Sequence, residues 1–367
     1  MRRMLNLQTR FNFGAGPGML PPEVIQEAAA ELPECRYADM SILEVGHRTD
    51  AFQALLKETV DDCRRLLGVP DNYHILFLGG AARTQFAACA LNFFTGKLRA
   101  AYLVSGLWSS MAFAEASRLS NAYCLASTEP QGFLDIPDVS SLTLEDNTGF
   151  IYCTPNETVN GVALSTLPAC EDLPLVADMT SCLFATEVDI QRFGLIFAGA
   201  QKNLGPAGMT IVIVRDDLLA CEPSPMLPAM MDYRVHVRSA GLYATPPVFN
   251  IWMAAKMLKW MEKEGGVKAL AARNREKSQR LYSFIDQQDF YKTRIQKRAR
   301  SVLNVCFDVP EAKQLEPFLK GASEHGLLAL RGHRAVGGLR ASLYNPMPIA
   351  GVDALIEYMN LFCGSMS

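Results

Sequence analysis

Four apolar runs, each ending abruptly in polar or turn-forming residues, constrain this chain more than any other feature. They are residues 75–78 ahead of Gly79-Gly80, 150–153 ahead of Thr154-Pro-Asn-Glu-Thr158, 174–177 ahead of Asp178, and 195–200 ahead of Gln201-Lys202-Asn203. Apolar runs without alternation read as strands buried on both faces, as in a parallel sheet flanked by helices. The carboxyl ends of such strands converge on one edge, where ligands bind. Helical stretches stand between them: about 82–94 after Gly79-Gly80, and a segment opening at Ser105-Gly-Leu-Trp108 and running through Leu119, after a further strand at 100–104. Helical spacing of Phe52, Leu55, Leu56, Cys63, Leu66 and Leu67 marks another helix, capped by Thr49 or Asp50. Met209–Arg215 reads as one more strand, placed to run antiparallel. The expectation is an α/β fold around a mostly parallel sheet.

A chain of 367 residues is long enough for two domains. A helix from Pro247 to Glu264 ends at Gly265-Gly266, the expected boundary. The large domain is expected over 16–264 and a smaller α+β domain over 265–367, with residues 1–15 packing on the latter. Within the small domain the pattern gives a helix (267–286), a strand (301–309), a helix (311–325), a glycine-rich segment (331–340), a strand into Tyr344 and a closing helix (350–362).

Composition excludes several classes of function. A net charge of −3 gives no reason to expect nucleic acid or an anionic membrane. The basic cluster Lys292, Arg294, Lys297, Arg298 and Arg300 is short, lacks interleaved aromatics, and reads as a solvated approach to a strand. Ten scattered cysteines contain no Cys-x-x-Cys pair, so buried free thiols in a reduced, cytoplasmic setting are expected and a metal cluster is not. Arg2 and Arg3 precede no apolar signal segment, and no apolar run approaches membrane-spanning length.

The chemistry-bearing candidates sit at the strand ends. Lys202 follows a buried strand and precedes the turn-formers Asn203, Gly205 and Pro206. An amine held there loses part of its water, which favours the neutral form that attacks a carbonyl. Taken alone, the segment reads more simply as a surface lysine after a strand. Asp178 ends the neighbouring run, and a carboxylate beside such a lysine is what a pyridinium cofactor needs to keep its ring nitrogen protonated. Gly79-Gly80 before a helix suits a phosphate cup, though the turn also reads as a plain βα connection; G-x-G-x-x-G is absent. Trp108 at a strand-to-helix turn can stack on a planar ring, and Thr158 can offer a hydroxyl. His47 and Arg48 stand at a helix start, a favourable place for an anion and equally for a solvated pair.

Eight strings carry a family resemblance: Phe11-Asn-Phe with Gly16-Pro17, Gly46-His-Arg48, Arg83-x-Gln-Phe86, Pro155-Asn-Glu-Thr-x-x-Gly161, Phe197-Ala-Gly-Ala-Gln-Lys-Asn203, Gly205-Pro-Ala-Gly208, Thr245-Pro-Pro247 and Gly332-His-Arg-x-x-Gly-Gly-x-Arg-Ala-Ser342. Across nearly its whole length the chain resembles the phosphoserine aminotransferase family, which belongs to the fold-type I, pyridoxal-phosphate-dependent enzymes. The resemblance implies a homodimer with its active site at the subunit interface. It implies reversible amino transfer between phosphoserine and 2-oxoglutarate in serine biosynthesis, and action on a phosphorylated hydroxythreonine in pyridoxal phosphate biosynthesis.

Carried over position by position, Lys202 takes the Schiff base and Asp178 pairs the pyridinium nitrogen. Trp108 stacks on the ring, Thr158 bonds its phenolic oxygen, and Ala82, Arg83 and Gln201 hold the phosphate. Arg48 and Arg340 receive the two acidic groups of the substrate, with His47, His333 and Arg334 at its phosphate end. Thr245 reaches the other subunit's cofactor. Two positions depart from the family pattern. Gly14-Ala15-Gly16-Pro17 replaces Ser-Ser-Gly-Pro, leaving Ala15 only backbone contacts, and Ala244 replaces an asparagine, removing a donor worth about 1 kcal/mol. The rival readings are another fold-type I enzyme such as an alanine–glyoxylate-type transaminase or a desulfurase, and a non-catalytic cofactor-binding protein.

Overall fold

The computed structural model of the chain describes residues 10–93, 98–140, 142–169 and 173–366. Arg2, Arg3, Phe94 and Cys170 lie outside the described residues. The centre is a seven-stranded sheet in the order Tyr73–Gly79, Met209–Arg215, Phe193–Gly199, Leu175–Asp178, Thr148–Cys153, Arg99–Val104 and Ala122–Ser127. Only Met209–Arg215 runs antiparallel to its neighbours, and every other pair in the sheet is parallel.

The apolar runs explain this arrangement residue by residue, because side chains on a strand alternate between faces. Phe77, Ala101, Leu103, Ile151, Cys153, Ala177 and Ile196 enter one core, together with Ile251, Trp252, Met257 and Leu258 of helix Val248–Lys263. Leu78, Tyr102, Phe150, Tyr152, Val176, Phe197 and Val212 enter the core on the other face, against Phe86 and Cys89 of helix Thr84–Phe93 and Ala112 of helix Leu107–Leu119. Each large apolar side chain so buried contributes about 1.5–3 kcal/mol before chain entropy is subtracted. Thr49 caps helix Asp50–Leu67 by accepting from the Phe52 amide at 3.3 Å, and Gly68 ends it at φ 63°.

A third core gathers Phe11, Phe13, Leu281, Phe307, Phe318, Leu339 and Tyr358. Its elements are helix Gly266–Asp286, the antiparallel pair Asn304–Phe307 and Leu339–Ser342, helix Ala312–Glu324 and helix Ile349–Met366. Phe11–Asn12 pairs in parallel with Leu327–Leu328, so the start of the described chain is held by this group. The amine of buried Lys277 donates to the carbonyls of Leu343, Tyr344 and Met347 at 2.7–2.9 Å, holding the turn into the last helix.

Several elements differ from the sequence expectation, and three of them have a plain physical reason. Ala122–Ser127 is a strand that apolar patterning misses, because it is an edge strand with only Tyr123 buried. The helix expected from about Ala82 starts at Thr84, since 81–83 form a turn bonded from the Thr84 amide to the Ala81 carbonyl. The strand expected over 301–309 is confined to Asn304–Phe307, because Ser301 bends the chain by accepting from the amides of Leu303 and Asn304. The basic cluster is neutralised locally: Arg294 pairs with Asp308, Arg298 with Asp135 and Arg300 with Asp286.

Candidate active site

The strand ends converge as expected and enclose a cavity of about 300 Å³. After Tyr73–Gly79 come Ala81, Ala82 and Arg83; Arg99–Val104 leads to Trp108; Thr148–Cys153 to Thr154, Asn156 and Thr158; Leu175–Asp178 to Asp178, Thr180 and Ser181; and Phe193–Gly199 to Gln201 and Lys202.

Lys202 is held by the turn after its strand. The amides of Leu204 and Gly205 bond back to the Ala200 carbonyl, with Gly205 at φ 155°. Asn203 anchors the turn, its Nδ2 donating to the Ser181 carbonyl at 3.1 Å and its Oδ1 accepting from the Asn345 amide at 3.2 Å. The lysine is buried, and its Nζ donates to Thr158 Oγ1. The N-terminal loop closes over it: the Gly18 amide bonds the Gln201 carbonyl at 2.8 Å, and a side chain at Gly16 would lie 3.3 Å from Gln201 Cγ and 3.7 Å from Lys202 Cγ. The Ala15 carbonyl accepts from Tyr344 Oη at 2.8 Å, a backbone contact.

Asp178 is buried at one end of the cavity, its Oδ1 accepting from the Thr180 amide at 2.9 Å. Burial pushes its carboxyl above the usual range, while the Thr180 hydrogen bonds and the Lys202 charge pull it back. At another wall the Arg83 guanidinium lies 5.3 Å from the Trp108 ring. Trp108 Nε1 and Thr154 Oγ1 are buried with no hydrogen-bond partner among the described residues. An acid, an amine, a flat indole, two unfilled polar atoms and a guanidinium beside a helix start suit a pyridine ring carrying a carbonyl and a phosphate.

A second cationic group adjoins the first. Arg340 donates to the Thr158 carbonyl at 3.3 Å. His333 is held below the usual imidazole range by burial, with Arg340 and Arg334 adding like charge. Of the expected site residues, Ala15, His47, Arg48, Ala244, Thr245, His333, Arg334 and Arg340 do not line the cavity of their own chain; Arg48, Thr245 and Arg334 are exposed.

Sequence reasoning assigned no role to Thr154, Asn156, Thr180 and Ser181, all of which line the cavity. Their signal was their position directly after strands ending at Cys153 and Asp178. Asn156 also ties the site to the third core: its Nδ2 donates to Asn304 Oδ1 at 2.8 Å, and Asn304 Nδ2 donates to Ser342 Oγ and Tyr344 Oη.

This fold, with a buried lysine at a strand end facing a buried acid, is that of class-V aminotransferases, and the family model described as Aminotransferase class-V matches residues 10–355. Phosphoserine aminotransferase of Legionella pneumophila (strain Philadelphia 1) is 51% identical over 352 residues, 96% of this chain and 97% of that protein. The structure of the Bacillus circulans subsp. alkalophilus phosphoserine aminotransferase superposes with a TM-score of 0.95 at 38% identity, covering 98% of this chain and 99% of that one. The Trichomonas vaginalis phosphoserine aminotransferase, described with PLP bound, gives 0.92 at 36% identity over 96% of this chain and 99% of that one. The chain belongs to the phosphoserine aminotransferases within the class-V aminotransferase family.

No helix among the described residues is long and apolar enough to cross a membrane, and no metal-binding group of His, Cys, Asp and Glu occurs among them.

Proposed function

We propose that this chain catalyses reversible amino transfer between O-phospho-L-serine and 2-oxoglutarate, giving 3-phosphohydroxypyruvate and L-glutamate, with pyridoxal 5'-phosphate in the cavity at Lys202. The observation carrying this reading is the buried Lys202–Thr158 pair, with Asp178 lining the same cavity and Arg340 bonded to the Thr158 carbonyl. The reaction belongs to serine biosynthesis in a cytoplasmic setting. The phosphorylated hydroxythreonine of pyridoxal phosphate synthesis is a second substrate of the same pocket.

When bound, pyridoxal phosphate supplies a carbonyl that takes the amino group and a ring that withdraws the electrons left when Cα loses its proton. The chain does the rest. Asp178 would keep a proton on the ring nitrogen, since a buried carboxylate is stabilised by a cationic partner. Trp108 and Thr158 would hold the ring and its phenolic oxygen, and Ala82, Arg83 and Gln201 would hold the phosphate. Lys202 carries the proton off the substrate Cα as a general base. Arg340 takes the α-carboxylate, and His333 and Arg334 take the distal anion with Arg48 and His47.

Arg48 and His47, like His333 and Arg334, lie outside the cavity of their own chain; in this reading a homodimer completes the site, with Arg48, His47 and Thr245 crossing to the neighbour. Division into domains at 16–264 and 265–367 is part of the same reading, supported by the separate core around Phe11, Phe13 and Phe318. Steady-state assays of the purified protein with phosphoserine and with alanine as amino donors test the proposal. Glutamate formed faster from phosphoserine supports it, whereas preference for alanine overturns it.

A further inference from the structure

Glu157 belongs to the 155–161 motif, and the functional reading gives it no task. It is completely buried in the short hairpin Asn156–Glu157 with Val162–Ala163. Its carboxylate accepts three hydrogen bonds from the first turn of helix Leu107–Leu119: Trp108 N to Oε2 at 3.0 Å, Ser109 N to Oε1 at 2.8 Å and Ser109 Oγ to Oε1 at 2.7 Å. The Ser109 hydroxyl in turn accepts from the amides of Ser105 and Gly106 at 2.9 and 3.1 Å.

A helix start is ordinarily capped by its own N-cap side chain. Here the N-cap is Gly106, which has none, and the cap arrives from another strand end. The approach is so close that a Cβ on Gly106 would lie 2.5 Å from Glu157 Cδ and 2.7 Å from Oε2. A buried carboxylate is costly, and this one is raised to about 7, chiefly by burial with Asp178 adding like charge. A serine or aspartate at the N-cap would satisfy the same amides more cheaply. What Glu157 provides, and an N-cap side chain would not, is a tie between two walls of the cavity, beside the longer bond from the Leu107 amide to Asn160 Oδ1 at 3.4 Å. It bonds the amide of Trp108 on one wall and precedes Thr158, the partner of Lys202, on the other.

We infer that Glu157 is a positioning residue that sets the Trp108 indole against the Thr158–Lys202 pair, so that the cofactor ring is gripped in one plane. This rests on the reading above that Trp108 stacks on that ring.

Three variants of the full-length protein test it, by the dissociation constant for pyridoxal phosphate and the circular dichroism of the bound cofactor's visible band. Glu157→Gln keeps the shape but turns an NH2 donor toward an amide or hydroxyl donor. Gly106→Ala keeps Glu157 but pushes its carboxylate away. We expect each to weaken cofactor binding about tenfold and to reduce the visible dichroism, as Trp108→Ala does. Should Glu157→Gln fail to fold, Gly106→Ala decides alone. Wild-type affinity and band in the Glu157 and Gly106 variants, with both lost in Trp108→Ala, overturn the inference and leave the stacking intact. No change in Trp108→Ala overturns the stacking itself and the inference with it.

Discussion

The amine of Lys202 donates a hydrogen bond to the hydroxyl of Thr158, a residue 44 positions earlier in the turn that follows the short strand Asn156–Glu157. The turn after the parallel strand Phe193–Gly199 is thus locked to the hairpin Asn156–Glu157 with Val162–Ala163 at one point. Around it stand the acid, the indole and the guanidinium of the cavity.

Asp178 is buried, and the Lys202 charge offsets part of what burial costs its carboxylate; in the proposed reading a cofactor ring nitrogen would supply the remaining partner. Asp178→Asn keeps the shape and removes the charge. We expect it to retain the cofactor while the transamination rate falls about a thousandfold, or ~4 kcal/mol. Cofactor absorbance after gel filtration and stopped-flow rates measure the two effects separately, and a near wild-type rate contradicts the pyridinium role.

Arg48 and Lys202 are assigned to opposite subunits of one site. Lys202→Ala and Arg48→Ala should each be inactive alone. Subunit exchange between them should restore about a quarter of wild-type activity, because half the dimers are hybrids with one intact site of two. Absence of recovery, with exchange verified by mass, means Arg48 serves its own chain or none.

Arginine binds carboxylate and phosphate alike through its fork of donors, so one cationic pocket can serve phosphoserine and glutamate. Phosphate carries more charge near neutral pH. Arg334→Ala should therefore lower kcat/KM for phosphoserine by about 2–4 kcal/mol and for glutamate by less. Equal losses on both substrates would make Arg334 structural.

Glu157 gives the cofactor-free fold a defined pH dependence. Its carboxyl titrates at about 7 in the folded chain and at 4.5 when fully solvated, so between these values the folded state holds a proton that the unfolded state lacks. Stability conferred relative to Glu157→Gln is then greatest below pH 4.5 and falls as pH rises to about 7, by on the order of 3 kcal/mol. Urea unfolding of both proteins at about pH 5 and about pH 8 measures the difference, and a pH-independent difference contradicts it.

The sheet was legible in the sequence because its strands are buried on both faces and their apolar runs are unbroken. Ala122–Ser127 was not, since an edge strand needs only one buried side chain, Tyr123, to hold its place. Lys202, Asp178, Thr158 and Trp108 were legible as polar or aromatic residues at strand ends. Asn156, Thr180 and Ser181 occupy similar places, but an amide or a hydroxyl in a turn has no chemistry that spacing reveals. The Glu157 cap was hidden for another reason: it joins Gly106 to a segment about fifty residues away, and no local pattern encodes such a contact.

Adding O-phospho-L-serine alone to the cofactor-loaded protein tests the central claim most directly, with product analysed by mass after a single turnover. The account predicts one equivalent of 3-phosphohydroxypyruvate per site, a shifted cofactor absorbance, and neither change in Lys202→Ala. Loss of phosphate instead of amino transfer, or turnover by the Lys202→Ala variant at the wild-type rate, would contradict it.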